Sequence, residues 1–260
     1  MSSLAAFIML DVKYHAPPTK RFAHSPNWTR LVQWTLACGH ALGLHPLGTD
    51  VAITSMSRSA VAMGALPTGT NAEMLIFAAT HLWTASKVAG NAKLTIEDFQ
   101  GILSREGITV DAETLCSSER RHLDALKWKV VGIAAPREFV DLILASFGLP
   151  LTDHVADLAR SMTDILVTCA TIVGEPRYHL AATCIHRALD ITPAGAITLS
   201  AFSDAFPCAA EMSRGARLVQ QCVHYGLRAS CPEAALWYGH IPSTVIRALQ
   251  ATTTTCVVAQ

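Results

Sequence analysis

The stretch AEMLIFAATHLWTASKVA at residues 72–89 constrains the fold most, because it has a helical pattern and is apolar on every side. Its charged side chains are Glu73 near the start and Lys87 near the end. A helix without a polar face must be buried all round. Alanine and threonine dominate its middle, and small side chains let neighbouring helices approach closely. The stretch is therefore predicted to be the central helix of a helical bundle.

Helical periodicity continues along nearly the whole chain. The clearest strand-like stretches, GITV at 107–110 and KWKVVGI at 127–133, are too short to predict a sheet. Four more helices are predicted around the central one, at about 26–45, 50–65, 95–105 and 112–127. A first group of five helices therefore ends shortly before Pro136.

The helical pattern then repeats. AATHLWTASK from Ala78 is echoed by AATCIHRALD from Ala181, and LVQWTLACGHALGLHPL from Leu31 is echoed by FVDLILASFGLPL from Phe139. Two echoes in the same order and at similar offsets indicate a duplicated helical unit. We therefore predict an all-α chain of two tandem five-helix units after a short N-terminal helix. The predicted segments are 1–24, 25–133, 134–232 and 233–260.

Composition argues against several classes of partner. No run reaches the roughly 18 apolar residues that a membrane-spanning helix needs. The formal net charge is zero and the basic residues are scattered, whereas nucleic-acid binders concentrate them on one surface. Eight cysteines without C-x-x-C spacing indicate reduced thiols and an intracellular protein. We expect neither a membrane nor a nucleic acid as the main partner.

Local motifs for catalysis are missing from the sequence. It contains no phosphate-binding loop, no G-x-G-x-x-G, no G-x-S-x-G and no H-E-x-x-H. His179, Cys184 and His186 are the closest metal-ligand group, but their spacing scatters them around a helix. We therefore expect no enzyme activity, no metal and no cofactor. An active site whose residues meet only in the folded chain stays open as an alternative.

Lys87 and Glu119 have two interpretations. A cation in the last turn of a helix and an anion near the start of another each gain ~0.3–1 kcal/mol from the helix dipole. Alternatively, both are presented to a partner. The apolar residues after Glu119, at helical spacing, are more often part of a core than of an interface. The residues around the pair distinguish the two interpretations.

Those residues carry a resemblance to a family. HLWTASKVAG at 81–90, followed by SERRHLDALKWKVVGIAAPREFV at 118–140, resembles the centre of a cyclin box. In cyclins an alanine-rich third helix ends in A-S-K, and a fifth helix carries a glutamate before an L-x-W-x-[LV] segment. TDILVTCATIVGEPRYHLAATCIHRAL at 163–189 is similar to the second box of D-type cyclins and of the compact cyclins of gammaherpesviruses. The resemblance covers residues 25–230 and implies two tandem cyclin boxes.

The resemblance implies a non-catalytic subunit that binds and activates a cyclin-dependent Ser/Thr protein kinase and promotes cell-cycle progression. It also implies a virus-encoded protein in the nucleus and cytoplasm of a host cell. By position in the motifs, the implied kinase contacts are Lys87, Glu119, Leu123, Trp128 and Val130. The pair of opposite charges would set the register of the complex, and the apolar residues would supply affinity.

A second implied site is the groove in which some cyclins bind Arg-x-Leu peptides of substrates and inhibitors. Leu31 and Trp34 match the family motif, whereas Asn27 and Arg30 replace apolar residues, which argues against a working groove. Two alternatives to a cyclin remain. One is a two-box binding module like transcription factor IIB, and the other is an unrelated helical scaffold.

Overall fold

The computed structural model describes Met9, residues 26–64, 70–89, 94–130, 135–149, 154–166 and 176–192, and Phe202. Within these residues 80% are helical and none is in a strand, which confirms the all-α prediction. The strand-like stretch at 107–110 is an irregular connection. Apart from Met9, the predicted N-terminal helix lies outside the described residues, as does the predicted C-terminal segment 233–260.

Eight helices are described over more than one turn. They are α1 Pro26–Ala41, α2 Pro46–Ala62, α3 Asn71–Val88, α4 Ile96–Arg105, α5 Ala112–Ala125, α6 Pro136–Ser146, α7 His154–Leu166 and α8 Arg177–Ile191. They belong to two compact units. Among the described residues, the first unit contains α1 to α5 with their connections up to Ala135, and the second contains α6 to α8 together with Met9.

The central position of α3 in the first unit is confirmed, since α3 packs against each of the other four helices. Buried residues lie on all its sides from Met74 to Ser86, with gaps only at Ile76 and Trp83. Ala78, Ala79, Leu82 and the threonine between them are each 0% exposed. Fully buried side chains from the surrounding helices complete the core, namely Trp28, Met56, Phe99, Leu103 and Leu115.

Capping explains where α3 begins. The Thr70 hydroxyl accepts a hydrogen bond from the Glu73 N–H at 3.3 Å, and the Glu73 carboxylate accepts one from the Thr70 N–H at 3.1 Å. This reciprocal capping box satisfies two amide donors that have no partner within the helix. It fixes the first turn of α3, and the helix then runs to Val88, one residue beyond Lys87.

The boundary between α1 and α2 differs from the prediction. We expected α1 to continue to about residue 45 and α2 to begin near 50, but α1 ends at Ala41 and α2 begins at Pro46. Gly43 adopts φ +65°, and the Leu44 N–H bonds the Gly39 carbonyl at 2.9 Å, which closes the helix. Proline at the first position of α2 lacks only an N–H that would be unpaired there anyway.

The second unit contains α6, α7 and α8, and each of these helices packs against the other two. Residues 181–185 of α8, which echo the middle of α3, are buried at 0–5% exposure. Ion pairs add to the apolar core: Arg137 bonds Asp164 at 3.0 Å, and Arg160 bonds Asp141 at 2.8 Å. The small-residue helix is thus buried in both units.

Candidate partner-binding surface

Lys87 and Glu119 form an ion pair on the first unit. Lys87 lies in the last turn of α3 and Glu119 in the middle of α5, and Lys87 Nζ is 2.9 Å from Oε1 and 2.7 Å from Oε2 of Glu119. The Lys87 side chain is 46% exposed and that of Glu119 is 14% exposed. The structure therefore brings these two predicted residues together at the surface, although 32 positions separate them in sequence.

Trp83 supports the ammonium group of Lys87. It lies one helical turn earlier on α3, and Lys87 Nζ is 3.4 Å from the centroid of its ring. A cation over an indole face gains ~0.5–1 kcal/mol at exposed sites. The ammonium is therefore held between an aromatic ring and a carboxylate, which restricts the conformations of a long side chain.

Thr84 is a positioning residue that sequence reasoning missed. Its Oγ1 lies 2.9 Å from Glu119 Oε1 and 3.0 Å from the carbonyl oxygen of Thr80. A hydroxyl has one proton to donate, and a hydrogen bond to a charged acceptor is the stronger one. Thr84 therefore donates its proton to the Glu119 carboxylate. Thr84 precedes Lys87 by three positions, so the two residues lie on the same face of α3. That spacing was the signal in the sequence that could have identified Thr84 as a neighbour of the ion pair. Thr84 is 8% exposed, so it orients the Glu119 carboxylate from the interior side.

The apolar residues predicted to contact a kinase differ in exposure. Trp128 is 63% exposed, and Leu123 is half-buried. Val130 is only 8% exposed, so its side chain belongs largely to the interior. The Trp128 N–H bonds the Leu123 carbonyl at 2.7 Å, which places the indole immediately after the end of α5. Their role in kinase binding stays a prediction.

The turn after α5 has an unusual backbone. Lys127 has φ 52° and Trp128 has φ 59°, a left-handed backbone conformation that residues other than glycine rarely adopt. The indole N–H of Trp128 donates to Asp124 Oδ1 at 2.9 Å. Trp128 is therefore both exposed and fixed in direction.

The four residues of the second predicted site lie on α1. Asn27 and Arg30 are exposed, whereas Leu31 is 3% exposed and forms part of the core. Trp34 is half-buried, and its indole N–H donates to Glu106 Oε1 at 3.0 Å. Leu31 and Trp34 thus have contacts within the first unit, and peptide binding by this site stays a prediction.

A cluster of buried polar side chains adjoins the ion pair. It contains the rings of His81 and His122, whose centroids are 4.8 Å apart, and three serines, Ser55, Ser59 and Ser118. Ser55 Oγ donates to the Ala52 carbonyl at 2.8 Å and lies 2.9 Å from His81 Nδ1. The cluster links α2, α3 and α5 behind the surface.

Burial controls the pKa values of this cluster. It lowers the pKa of His122 to about 4, and the nearby Arg121 guanidinium adds to the effect. It also lowers the pKa of His81 well below the usual value, with a smaller contribution from His122. Both imidazoles are neutral at pH 7. Ser55 and His81 are each 1% exposed, so this serine–histidine contact is closed to a substrate and serves the core.

Two of the three described cysteines, Cys38 and Cys184, are buried and poorly suited to nucleophilic chemistry. Burial raises the pKa of Cys38 to about 12, with Glu106 contributing, and burial also raises the pKa of Cys184. A nucleophilic cysteine needs a lowered pKa and access to solvent. Within the described ranges, no group of three His, Cys, Asp or Glu side chains is arranged to hold a metal ion, and no helix is both long and apolar enough to cross a membrane.

No protein-family model matches this chain, and no curated protein sequence matches it. The surface around Lys87, Glu119 and Trp128 is therefore interpreted from its own geometry and from the motifs in the sequence.

Proposed function

We propose that the chain is a cyclin, a regulatory subunit that binds and activates a cyclin-dependent kinase. One observation carries the proposal. The lysine of the A-S-K motif and the glutamate of α5 form an ion pair at the surface, 2.7 Å apart, with Trp128 exposed beyond the end of the same helix. These are the positions that the sequence motifs matched to kinase contacts. The virus-encoded origin and the cell-cycle role belong to the same proposal.

The ion pair has capacity for a partner. An ammonium has three donors and a carboxylate has about four acceptor positions, so the pair retains free capacity after its internal bonds. Backbone carbonyls and amides of a kinase helix and its adjoining loop would use it. Trp128 would supply the apolar anchor, since tryptophan is enriched among the residues that dominate interface energies.

Activation would follow from selective binding. Phosphoryl transfer in protein kinases requires a Lys–Glu ion pair with the C-helix and a positioned Mg²⁺-binding aspartate. A cyclin that binds only the inward position of the C-helix shifts the population toward the active state. A shift from mostly inactive to mostly active needs a preference of about 5 kcal/mol, and we expect an interface of standard size, roughly 1,600 Å², or larger.

The decisive experiment separates a structural ion pair from one that faces a partner. The single variants Lys87→Glu and Glu119→Lys place like charges together, whereas the double variant Lys87→Glu/Glu119→Lys restores the internal pair with reversed direction. Lys87 is 46% exposed, so solvent screens its end of the pair, and the pair is expected to contribute only ~0–1 kcal/mol to stability. We expect all three variants to fold and all three to lose kinase binding and histone phosphorylation after co-purification from eukaryotic cells.

A matched control exists in the second unit. The Arg137–Asp164 pair also joins two helices, and its side chains are 32% and 11% exposed, similar to the proposed pair. The variant Arg137→Glu should fold and keep kinase binding. If the double variant of the first unit activates the kinase as well as the unchanged protein does, the pair is structural and the proposal fails.

A further inference from the structure

The turn after α5 exposes Trp128 at a conformational cost. The side chain is 63% exposed, so folding gains little from its apolar area. Lys127 and Trp128 have φ of 52° and 59°, and the left-handed region costs roughly 1–2 kcal/mol for each residue other than glycine. Strained residues that persist in a fold cluster at sites of function. A partner that covers the indole would account for both features.

Several bonds fix the direction of the indole before any partner arrives. The Trp128 N–H bonds the Leu123 carbonyl at 2.7 Å, and the indole N–H bonds Asp124 Oδ1 at 2.9 Å. Arg58 from α2 donates to the Lys129 carbonyl at 2.7 Å and anchors the far side of the turn. A side chain that is already ordered loses less entropy on binding. The turn is therefore a preorganised contact.

Charge around this turn is one-sided, although the whole chain has a formal net charge of zero. The stretch 119–130 carries two carboxylates, and both are engaged, Glu119 by Lys87 and Asp124 by the Trp128 indole. The same stretch carries four exposed cationic side chains, namely Arg120, Arg121, Lys127 and Lys129. The charges presented to a partner are thus predominantly positive.

We propose that the exposed cations of 119–130 together with Trp128, here named the Trp128 surface, bind a carboxylate-rich segment of a partner protein. Positive surfaces select negative partners and speed their encounter. The inference rests on the proposed function in one respect: the segment would belong to the kinase. A nucleic acid is less well matched, because nucleic-acid-binding domains are usually basic overall and the formal net charge of this chain is zero.

Titration of the full chain with poly-L-glutamate tests the charge of the surface without a kinase. We expect poly-L-glutamate to change the tryptophan fluorescence, and Trp128→Phe to remove most of that change. Lys127→Glu should weaken binding about tenfold. Arg105→Glu is the matched control, since Arg105 is an exposed cation on α4 of the same unit, and it should change affinity less than about twofold. Circular dichroism establishes that each variant is folded, and Lys129→Glu gives a second reversal should Lys127→Glu fail to fold.

Three results would overturn the inference. The first is equal weakening by Lys127→Glu and Arg105→Glu, the second is an unchanged signal in Trp128→Phe, and the third is tighter binding of duplex DNA than of poly-L-glutamate.

The outcomes also separate this inference from the proposed function. If poly-L-glutamate binds as expected while no kinase co-purifies with the unchanged chain, the kinase assignment fails and the Trp128 surface stands. If the kinase binds but none of the poly-L-glutamate effects occurs, only the Trp128 surface is refuted.

Discussion

Lowering the pH from 7 to 5 is expected to destabilise the first unit, because it buries histidines in their neutral form. His122 is 6% exposed and its pKa is lowered to about 4, against about 6.5 in the unfolded chain. Above pH 6.5 both states hold the neutral ring, so stability is unaffected. As the pH falls from 6.5 toward 4, His122 becomes protonated in the unfolded chain but stays neutral in the folded chain, so the free energy of unfolding decreases.

The size of the effect follows from these two pKa values. At pH 5 the free energy of unfolding falls by about 2 kcal/mol, and the full loss below pH 4 is about 3.4 kcal/mol, at 1.36 kcal/mol per pKa unit. His81 adds to the loss in the same direction, since its pKa is also lowered. The described neighbours of the two rings are hydroxyls, Phe77 and each other, so the contacting groups offer no carboxylate to compensate a new charge.

Urea unfolding at pH 7.5, 6.5, 5.5 and 5.0 measures this effect. Tryptophan fluorescence is the suitable probe, because the first unit contains Trp28, Trp34, Trp83 and Trp128 of the five tryptophans in the chain. His122→Gln keeps a side chain that hydrogen-bonds the serines but does not titrate, so its stability should fall by about 2 kcal/mol less between pH 7 and 5. An identical pH dependence in the variant and the unchanged protein would refute the reasoning.

Three further changes have expected outcomes. A β-carbon at Gly39 would lie 2.4 Å from Thr49 Oγ1, so Gly39→Ala should lower the free energy of unfolding by ~1–3 kcal/mol. Adding Thr49→Ala to the same chain should recover part of that loss. An unchanged urea midpoint in Gly39→Ala would contradict this close approach. Thr84→Val removes a bond to the paired carboxylate and should cost ~1–3 kcal/mol of stability and weaken kinase co-purification, whereas Thr84→Ser should retain both. Iodoacetamide at pH 8 should alkylate exposed Cys116 well before buried Cys38, as followed by peptide mass spectrometry, and equal rates would show that α1 opens readily.

Local pattern explains which parts of the fold were predictable. The central role of α3 follows from its lack of a polar face, and the all-α class follows from the helical period along the chain. The α1–α2 boundary was missed because the apolar pattern continues through Leu42 and Leu44. The left-handed glycine at position 43 ends the helix there, and only the backbone conformation reveals that Gly43, rather than Gly39, has this role.

Part of the candidate site was also predictable from the sequence, and part was not. Motif positions singled out Lys87, Glu119 and Trp128, but no local pattern identified Thr84 as the donor to the carboxylate or Asp124 as the acceptor for the indole. These partners are set by the approach of α3 to α5 and by the turn after α5. Hydrogen bonds act over about 3 Å, so they depend on distances that sequence separation does not encode.

The sequence alone determines the helical class and which helix is buried on all sides, because both depend on the periodicity of apolar residues within one segment. Only the tertiary structure decides that Lys87 reaches Glu119, that Val130 turns inward and that Trp128 stays outside. Those outcomes depend on how helices distant in sequence pack together, and small changes in that geometry separate a contact from a gap.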